Sequence, residues 1–381
     1  MKKFQKIGSV AVILILFIAL IGWRIYERRG QNSGPIKIGV ATILSGDWAS
    51  LGENILNTAE LTVDQINADG GVNGRKLEIV SQDSGIDGPT GLSAVSELIN
   101  IEGVHYIVGG MASNGTDAAA SILNQDHVLD FVPVTGGKDV DNDGPYVFRT
   151  ANSDSLAGTD IADAMIGLGY KHVGIVDEVS DYSVDLTNSF KQEFASRGGT
   201  IVDENDFQPE TSDFKTIIAK FKTEKIQAML IASQTGISGA FFVKQARDLA
   251  FTPPMFSDFT FVTNAAAQKI VGSFNGIYFA DPSYDAADPD LQAFFRAYKD
   301  KYGYAPTIPF QTAATYDAIH MLASAIQAVS DNSVGVHDWL LANIKNYHGF
   351  MGTYSLDAEG NSDLGFTVKL IKNGQPTPVT Y

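Results

Sequence analysis

Two α/β lobes, each a parallel sheet covered by helices on both faces, are the fold class that this sequence predicts, and three observations predict it. At 381 residues the chain is longer than one hydrophobic core usually organises. From Ile36 onward, short apolar runs alternate with segments whose apolar residues recur at helical spacing, as strands and crossover helices do in a parallel sheet. That cycle runs through Val132 and starts afresh after Phe148-Arg149-Thr150, which implies a second sheet.

The elements follow in order. IKIGVATI from Ile36 reads as a buried strand and LSGDWASLG as a loop, after which Ile55, Ala59, Val63 and Ile66 share one face of a helix that stops at Asp69-Gly70-Gly71. A strand over 76–81, helix 91–101, strand 105–109, helix 116–125 and strand 128–132 complete the first sheet. The second begins with helix 155–168 and strand 172–177. Leu186, Phe190 and Phe194 then share a helix face that ends before Gly198-Gly199. Strand 200–207, helix 214–223, strand 226–232, helix 236–249 and a strand over 255–257 continue it. Beyond Asp281-Pro282 come amphipathic helices over 289–302 and 312–329, and 352–370 reads as hairpin-like strands around Asp357-Ala358-Glu359-Gly360. No repeat of solenoid period is present.

Composition narrows the function. A net charge of -17 argues against nucleic acid as a partner, because a phosphate backbone is bound through clustered Lys and Arg. The absence of cysteine excludes disulfides, thiolate metal sites, thiol nucleophiles and the acylated cysteine of a lipoprotein. After Lys2, Lys3 and Lys6, residues 8–23 form the uncharged run GSVAVILILFIALIGW, followed by Arg24, Arg28 and Arg29. Ala19 is followed by Leu20 and Ile21, bulky where a signal peptidase needs a small residue. Residues 1–35 are therefore expected to be a retained membrane anchor with a linker over 27–35, a cleaved signal being the competing reading. The rest of the chain is expected outside the cytoplasm, tethered to the cytoplasmic membrane.

No enzyme constellation emerges. His105, His127, His172, His320, His337 and His348 are scattered without metal-ligand spacing. Ser212 and Lys215 fit S-x-x-K, but Ser212 stands where a helix starts and reads as a cap. The run from Asp139 through Asp141 and Asp143 to Gly144 matches half a calcium loop, yet its twelfth position is Thr150, where a bidentate Glu is needed. Asn114-Gly115-Thr116 spells a glycosylation sequon, which carries weight only in a eukaryotic secretory route. No catalytic residue, metal or cofactor is expected. Polar residues instead follow the predicted strands, where open α/β sheets bind ligands. Ser113 falls in the polar run GGMASNGTDAAAS that leads into a helix, Val134-Thr135-Gly136 follows the next strand, and Tyr182 and Gln234-Thr235 follow strands of the second sheet.

These blocks resemble the branched-chain amino-acid-binding family of periplasmic binding proteins. IKIGVATILSGDWASLGENILNTAELTVDQINADGGVNGRKLEIVSQDSGIDG matches the family's opening, and GGMASNGTDAAAS, FRTANSD, KQARDLAF, ATYDA and FMGTYSLDAEGNSD follow in the family's order to the end of the chain. The resemblance implies the type I fold: two Rossmann-like lobes, 36–151 with 282–350 and 152–281 with 351–381, joined by a three-strand hinge. It implies a small ligand, an amino acid or a relative, gripped by Ser113 and by Thr135 or Gly136, walled by Trp48, covered by Tyr182 and met in the second lobe by Thr235, where the family often has Tyr. The acid that takes the ammonium falls near Asp258-Phe259, and Phe310 lines the cleft near the hinge. Arg149, Tyr316 and Asp317 are structural in this reading. A membrane-embedded ABC permease is the implied protein partner; a sensor of the same fold is the alternative.

Overall fold

A computed structural model describes residues 34–381 apart from Lys138, Asp139, Asp141 and Asp363. The expected anchor and two acids of the 139–144 loop, Asp139 and Asp141, lie outside the described residues. No helix among the described residues is long and apolar enough to cross a membrane.

The first sheet has the order β2-β1-β3-β4-β5 and is parallel throughout. Its strands are β1 (Ile36–Thr42), β2 (Leu77–Asp83), β3 (Tyr106–Val108), β4 (Leu129–Val132) and β5 (Val147–Arg149). Helices α1 (Ala49–Ala68), α2 (Gly88–Asn100) and α3 (Ser113–Asp126) connect them. The second sheet, β14-β13-β10-β9-β8-β6-β7, is parallel from β10 to β7. It comprises β6 (His172–Glu178), β7 (Thr200–Phe207), β8 (Ala228–Ala232), β9 (Met255–Asp258) and β10 (Ile277–Pro282), extended by antiparallel β13 (Phe366–Lys372) and β14 (Gln375–Pro378). Its helices are α4 (Asp154–Gly167), α5 (Asp181–Ser196), α6 (Lys215–Glu224), α7 (Ile237–Asp248) and the short α8 (Phe259–Thr263) and α9 (Ala265–Val271). The all-apolar AMLIA of β8 is wholly buried, as a strand with helices on both faces must be. In each sheet the strand order reverses beside the first strand, β1 or β6. This is the point where α/β sheets open a crevice at the carboxyl ends of their strands.

After β10 the chain returns to the first lobe as α10 (Pro289–Tyr302), α11 (Pro309–Val329), α12 (Ser333–Asn343) and the hairpin β11 (Tyr347–Gly349) and β12 (Gly352–Tyr354). Two expectations are corrected here. The Asp357–Gly360 segment is not a hairpin: Asp357 accepts from the backbone N–H groups of Glu359 and Asn361, and the turn carries the chain from β12 to β13. The C-terminal hairpin instead turns at Asn373-Gly374, both in the left-handed region that a two-residue turn requires. The expected lobe boundary at residue 350 also moves. Met351, Tyr354 and Leu356 pack in the first core, because the Asp317 carboxylate on α11 accepts from the N–H groups of Phe350 (2.7 Å) and Met351 (3.0 Å) and from the Tyr354 hydroxyl (3.1 Å). The third crossover therefore runs over 357–365.

Three crossovers lie side by side. Asn152 donates to the Gly365 carbonyl at 2.7 Å and accepts from the Leu364 N–H at 2.9 Å, while the Ser283 N–H donates to the same Gly365 carbonyl at 2.9 Å. Arg149, its side chain buried, donates to the Ala151 carbonyl beside them.

Candidate functional site

A cavity of about 510 Å³ opens at the carboxyl ends of the strands of both sheets, within the size range of small-molecule sites. On the first lobe its wall starts at Trp48, which ends a single 3-10 turn after β1 and packs half-buried on the first core. Ser113 is the first residue of α3, three residues earlier than the sequence suggested, and the N-cap position falls to Ala112, which has no side chain able to cap. The amides of the first turn are thus left without a side-chain acceptor beside the Ser113 hydroxyl, an arrangement that favours a carboxylate. Thr135 is buried beneath: its hydroxyl donates to the Met111 carbonyl at 2.9 Å and lies 3.2 Å from that of Thr116. Gly136 approaches the first crossover so closely that a Cβ there would stand 2.3 Å from Asp154 Oδ1, and its carbonyl accepts the Asp154 N–H at 2.7 Å.

The second lobe supplies the facing wall. Ser180 caps α5 by accepting from the Ser183 N–H, which sets Tyr182 in the first turn with its ring in the second core and its hydroxyl 3.5 Å from Thr260 Oγ1. Thr235, after β8, donates through Oγ1 at 2.9 Å to Glu178 Oε2, to which Ser233 Oγ also donates at 2.7 Å; the Thr235 N–H reaches both carboxylate oxygens at 3.2 and 3.3 Å. Burial pushes the Glu178 carboxyl up, and these donors pull it back.

Six of the expected residues therefore meet at one cavity: Trp48, Ser113, Thr135, Gly136, Tyr182 and Thr235. Two do not. Asp258 is wholly buried behind the wall, where it caps α8: one carboxylate oxygen accepts from the N–H groups of Thr260 and Phe261 and from the Thr260 hydroxyl. It is Phe259 and Thr260, the next two residues, that reach the cavity. Phe310 lines a second cavity, of about 500 Å³, with Tyr284 packed edge-on at 6.0 Å; Phe259 forms a wall of both cavities. Glu178 is a buried polar wall residue that the sequence reading missed, because the strand was ended at Asp177. Its signal was a second acid at the strand end, two residues before the Ser180 cap.

Behind the cavity lies an acidic layer. Burial, with Asp258 nearby, holds the Asp154 carboxyl well above the usual range, against the pull of Arg149. Burial and the same two carboxylates raise the Tyr182 phenol. Among the described residues, the one group of three acids close enough to share an ion is Asp177, Glu204 and Asp206. None of the three lines the cavity, and Lys191 pairs with Glu204 at 2.8 Å.

Comparison with known proteins places this geometry. The Leu/Ile/Val-binding protein of Citrobacter freundii is 27% identical over 333 residues, 86% of this chain and 88% of that protein. The branched-chain amino acid transporter substrate binding protein LivJ from Streptococcus pneumoniae, solved with isoleucine, superposes with a TM-score of 0.81 at 26% identity, covering 90% of this chain and 97% of that one. An ABC transporter solute binding protein from R. palustris, solved with benzoate, shares the fold with a TM-score of 0.78 at 23% identity, over 91% and 96% of the two chains. The model of the periplasmic binding protein family matches residues 35–363, nearly all of the described chain. This chain, with its two parallel sheets opening on one cavity, belongs to the periplasmic binding protein family.

Proposed function

We propose that this protein is the extracytoplasmic solute-binding component of an ABC importer, capturing a small amino acid or close relative between its lobes and passing it on unchanged. The family binds its substrates without transforming them. The observation that carries the reading is the cavity walled from both sheets, with Ser113 and the uncapped start of α3 on one side and Tyr182 and Thr235 on the other. A zwitterion suits such walls. Its carboxylate would lie at α3 and Ser113, its side chain against Trp48, and Tyr182 would cover it. In this reading the lobes are 36–151 with 282–356 and 152–281 with 366–381, turning about the three crossovers. Each lobe contributes part of the contacts, so the ligand binds the closed form better and shifts the population toward it. The closed form then presents both lobes to a permease in the membrane, near which residues 8–23 would hold the protein.

A thermal-shift screen of the purified full-length protein against amino acids, small amides, aromatic carboxylates and sugars tests this. A ligand at 100 times its Kd adds about 2.7 kcal/mol to the native state. A shift confined to one amino-acid class supports the reading; shifts confined to solutes such as benzoate or sugars overturn the ligand assignment.

A further inference from the structure

The cavity that holds Phe310, about 500 Å³ in volume, is walled from both lobes and is as large as the first. Tyr284 and the start of α11, from Ile308 to Gln311, pack with the first core. Asp281 on β10, Lys369 on β13 and the residues around α8 and α9 form the facing side. Among the described residues, Phe259 alone lines both cavities. Five aromatic residues stand in this second wall: Phe259, Phe274, Phe279, Tyr284 and Phe310.

Most of its polar groups are engaged. Lys369 Nζ pairs with Asp281 Oδ2 at 2.5 Å, and these two are the charged residues of the wall, so it carries no net charge. The Thr263 hydroxyl donates to the Phe259 carbonyl at 2.7 Å, Ser273 Oγ accepts from the Asn275 N–H at 3.2 Å, and Gln268 is exposed to solvent. Gln311 differs from all of these. It is 3% exposed, and its main-chain carbonyl accepts from the Thr315 hydroxyl at 2.7 Å, yet its side-chain amide has no hydrogen-bond partner among the described residues. A buried amide left unpaired is destabilising, and such groups are rare in folded proteins.

The chemistry that would satisfy this wall is specific. A carboxamide presents a donor beside an acceptor, and its complement is a second edge of the same kind, as on another amide or on a nucleobase. The aromatic residues favour a flat ring. Because Lys369 and Asp281 already neutralise one another, a charged ligand would find no unpaired counter-ion here.

We propose that this cavity is a second small-molecule site, taking a flat, uncharged ring with a hydrogen-bond donor beside an acceptor, an aromatic amide or a nucleobase, which pairs with the Gln311 amide. The proposal is independent of what the first cavity binds.

Isothermal titration calorimetry on the full-length chain tests it, with benzamide, adenine and benzoate as probes. Benzamide and benzoate match in shape and differ in charge. Benzamide, adenine or both are expected to bind the wild type, and to do so at least about tenfold more tightly than benzoate, whose carboxylate meets no free cation. Gln311→Leu is expected to lower that affinity at least about tenfold and to melt no lower than the parent, since an apolar group replaces an unpaired amide. Binding of adenine alone selects the nucleobase, and binding of benzamide alone the aromatic amide; either supports the site. A wild type that binds neither, or that binds benzoate as tightly, overturns the proposal and needs no variant to have folded. Undiminished binding by Gln311→Leu overturns it as well, since the probe would then sit elsewhere.

Discussion

Replacing Asp130 by Asn should make the protein more stable, and increasingly so as the pH rises. Asp130 lies on β4 between β3 and β5, wholly buried, with Gly109 packed so closely that a Cβ there would be 2.9 Å from its Oδ1. Burial pushes its carboxyl up to about 8, from an ordinary value of 3.8. The native state therefore keeps a proton that the unfolded chain releases. Between these two values the unfolded state binds fewer protons, and stability falls by roughly 1.4 kcal/mol for each pH unit gained. From about pH 5 to about pH 7 this one group removes about 3 kcal/mol, all of it recovered below the unfolded value. Asn keeps the shape and cannot titrate. Urea denaturation of both proteins across that range, with m-values compared, isolates the group because every other acid is common to the two. The variant's advantage should grow by about 3 kcal/mol between about pH 5 and about pH 7. Parallel profiles would refute the reasoning, since they would mean that Asp130 is already ionised in the folded chain.

Ser113→Ala should lower ligand affinity by about tenfold with little change in the melting temperature of the empty protein, because Ala112, not Ser113, is the N-cap of α3; calorimetry and thermal melts check both halves. Tyr182→Phe should weaken binding and leave the fold intact, whereas Tyr182→Ala should cost about 3 kcal/mol of stability, the ring being part of the second core; urea midpoints separate the two. Gly136→Ala should lose both affinity and roughly 1–3 kcal/mol, since its Cβ would meet Asp154 Oδ1 at 2.3 Å and the Asn152 carbonyl at 2.7 Å. An alanine variant as tight and as stable as the parent would show that the crossover gives way at no cost.

The parallel strands were legible because a strand buried on both faces must be apolar throughout, as VGIV in β6 and AMLIA in β8 are. β5 escaped because three residues ending in Arg149 carry no such run, and Arg149 is a charged residue that the fold nevertheless buries. Helices α8 and α9 were hidden by length. Their starts rest on caps, Asp258 and Asn264, that read equally well as loop residues. α12 was not anticipated either, and only Val336 and Leu340 carry its buried face. The Asn373-Gly374 turn was plain in the sequence, but Asp357–Gly360 offered a rival turn nearby, and only pairing across the sheet decides between them. At the site, residues that follow strands were found by their position. Glu178 was passed over because its strand was ended one residue early, and Asp258 was left level with Phe259, since a one-residue shift at a strand end moves a carboxylate from cavity wall to helix cap.

The lacing of the crossovers has a mechanical consequence. Asn152 and Ser283 both hold Gly365, so the first, second and third strands between the lobes cannot slide past one another without breaking the same knot. In the proposed closing motion this linkage resists shear more than rotation, so a single pair of spectroscopic labels set across the cavity, reading an opening angle, should follow it.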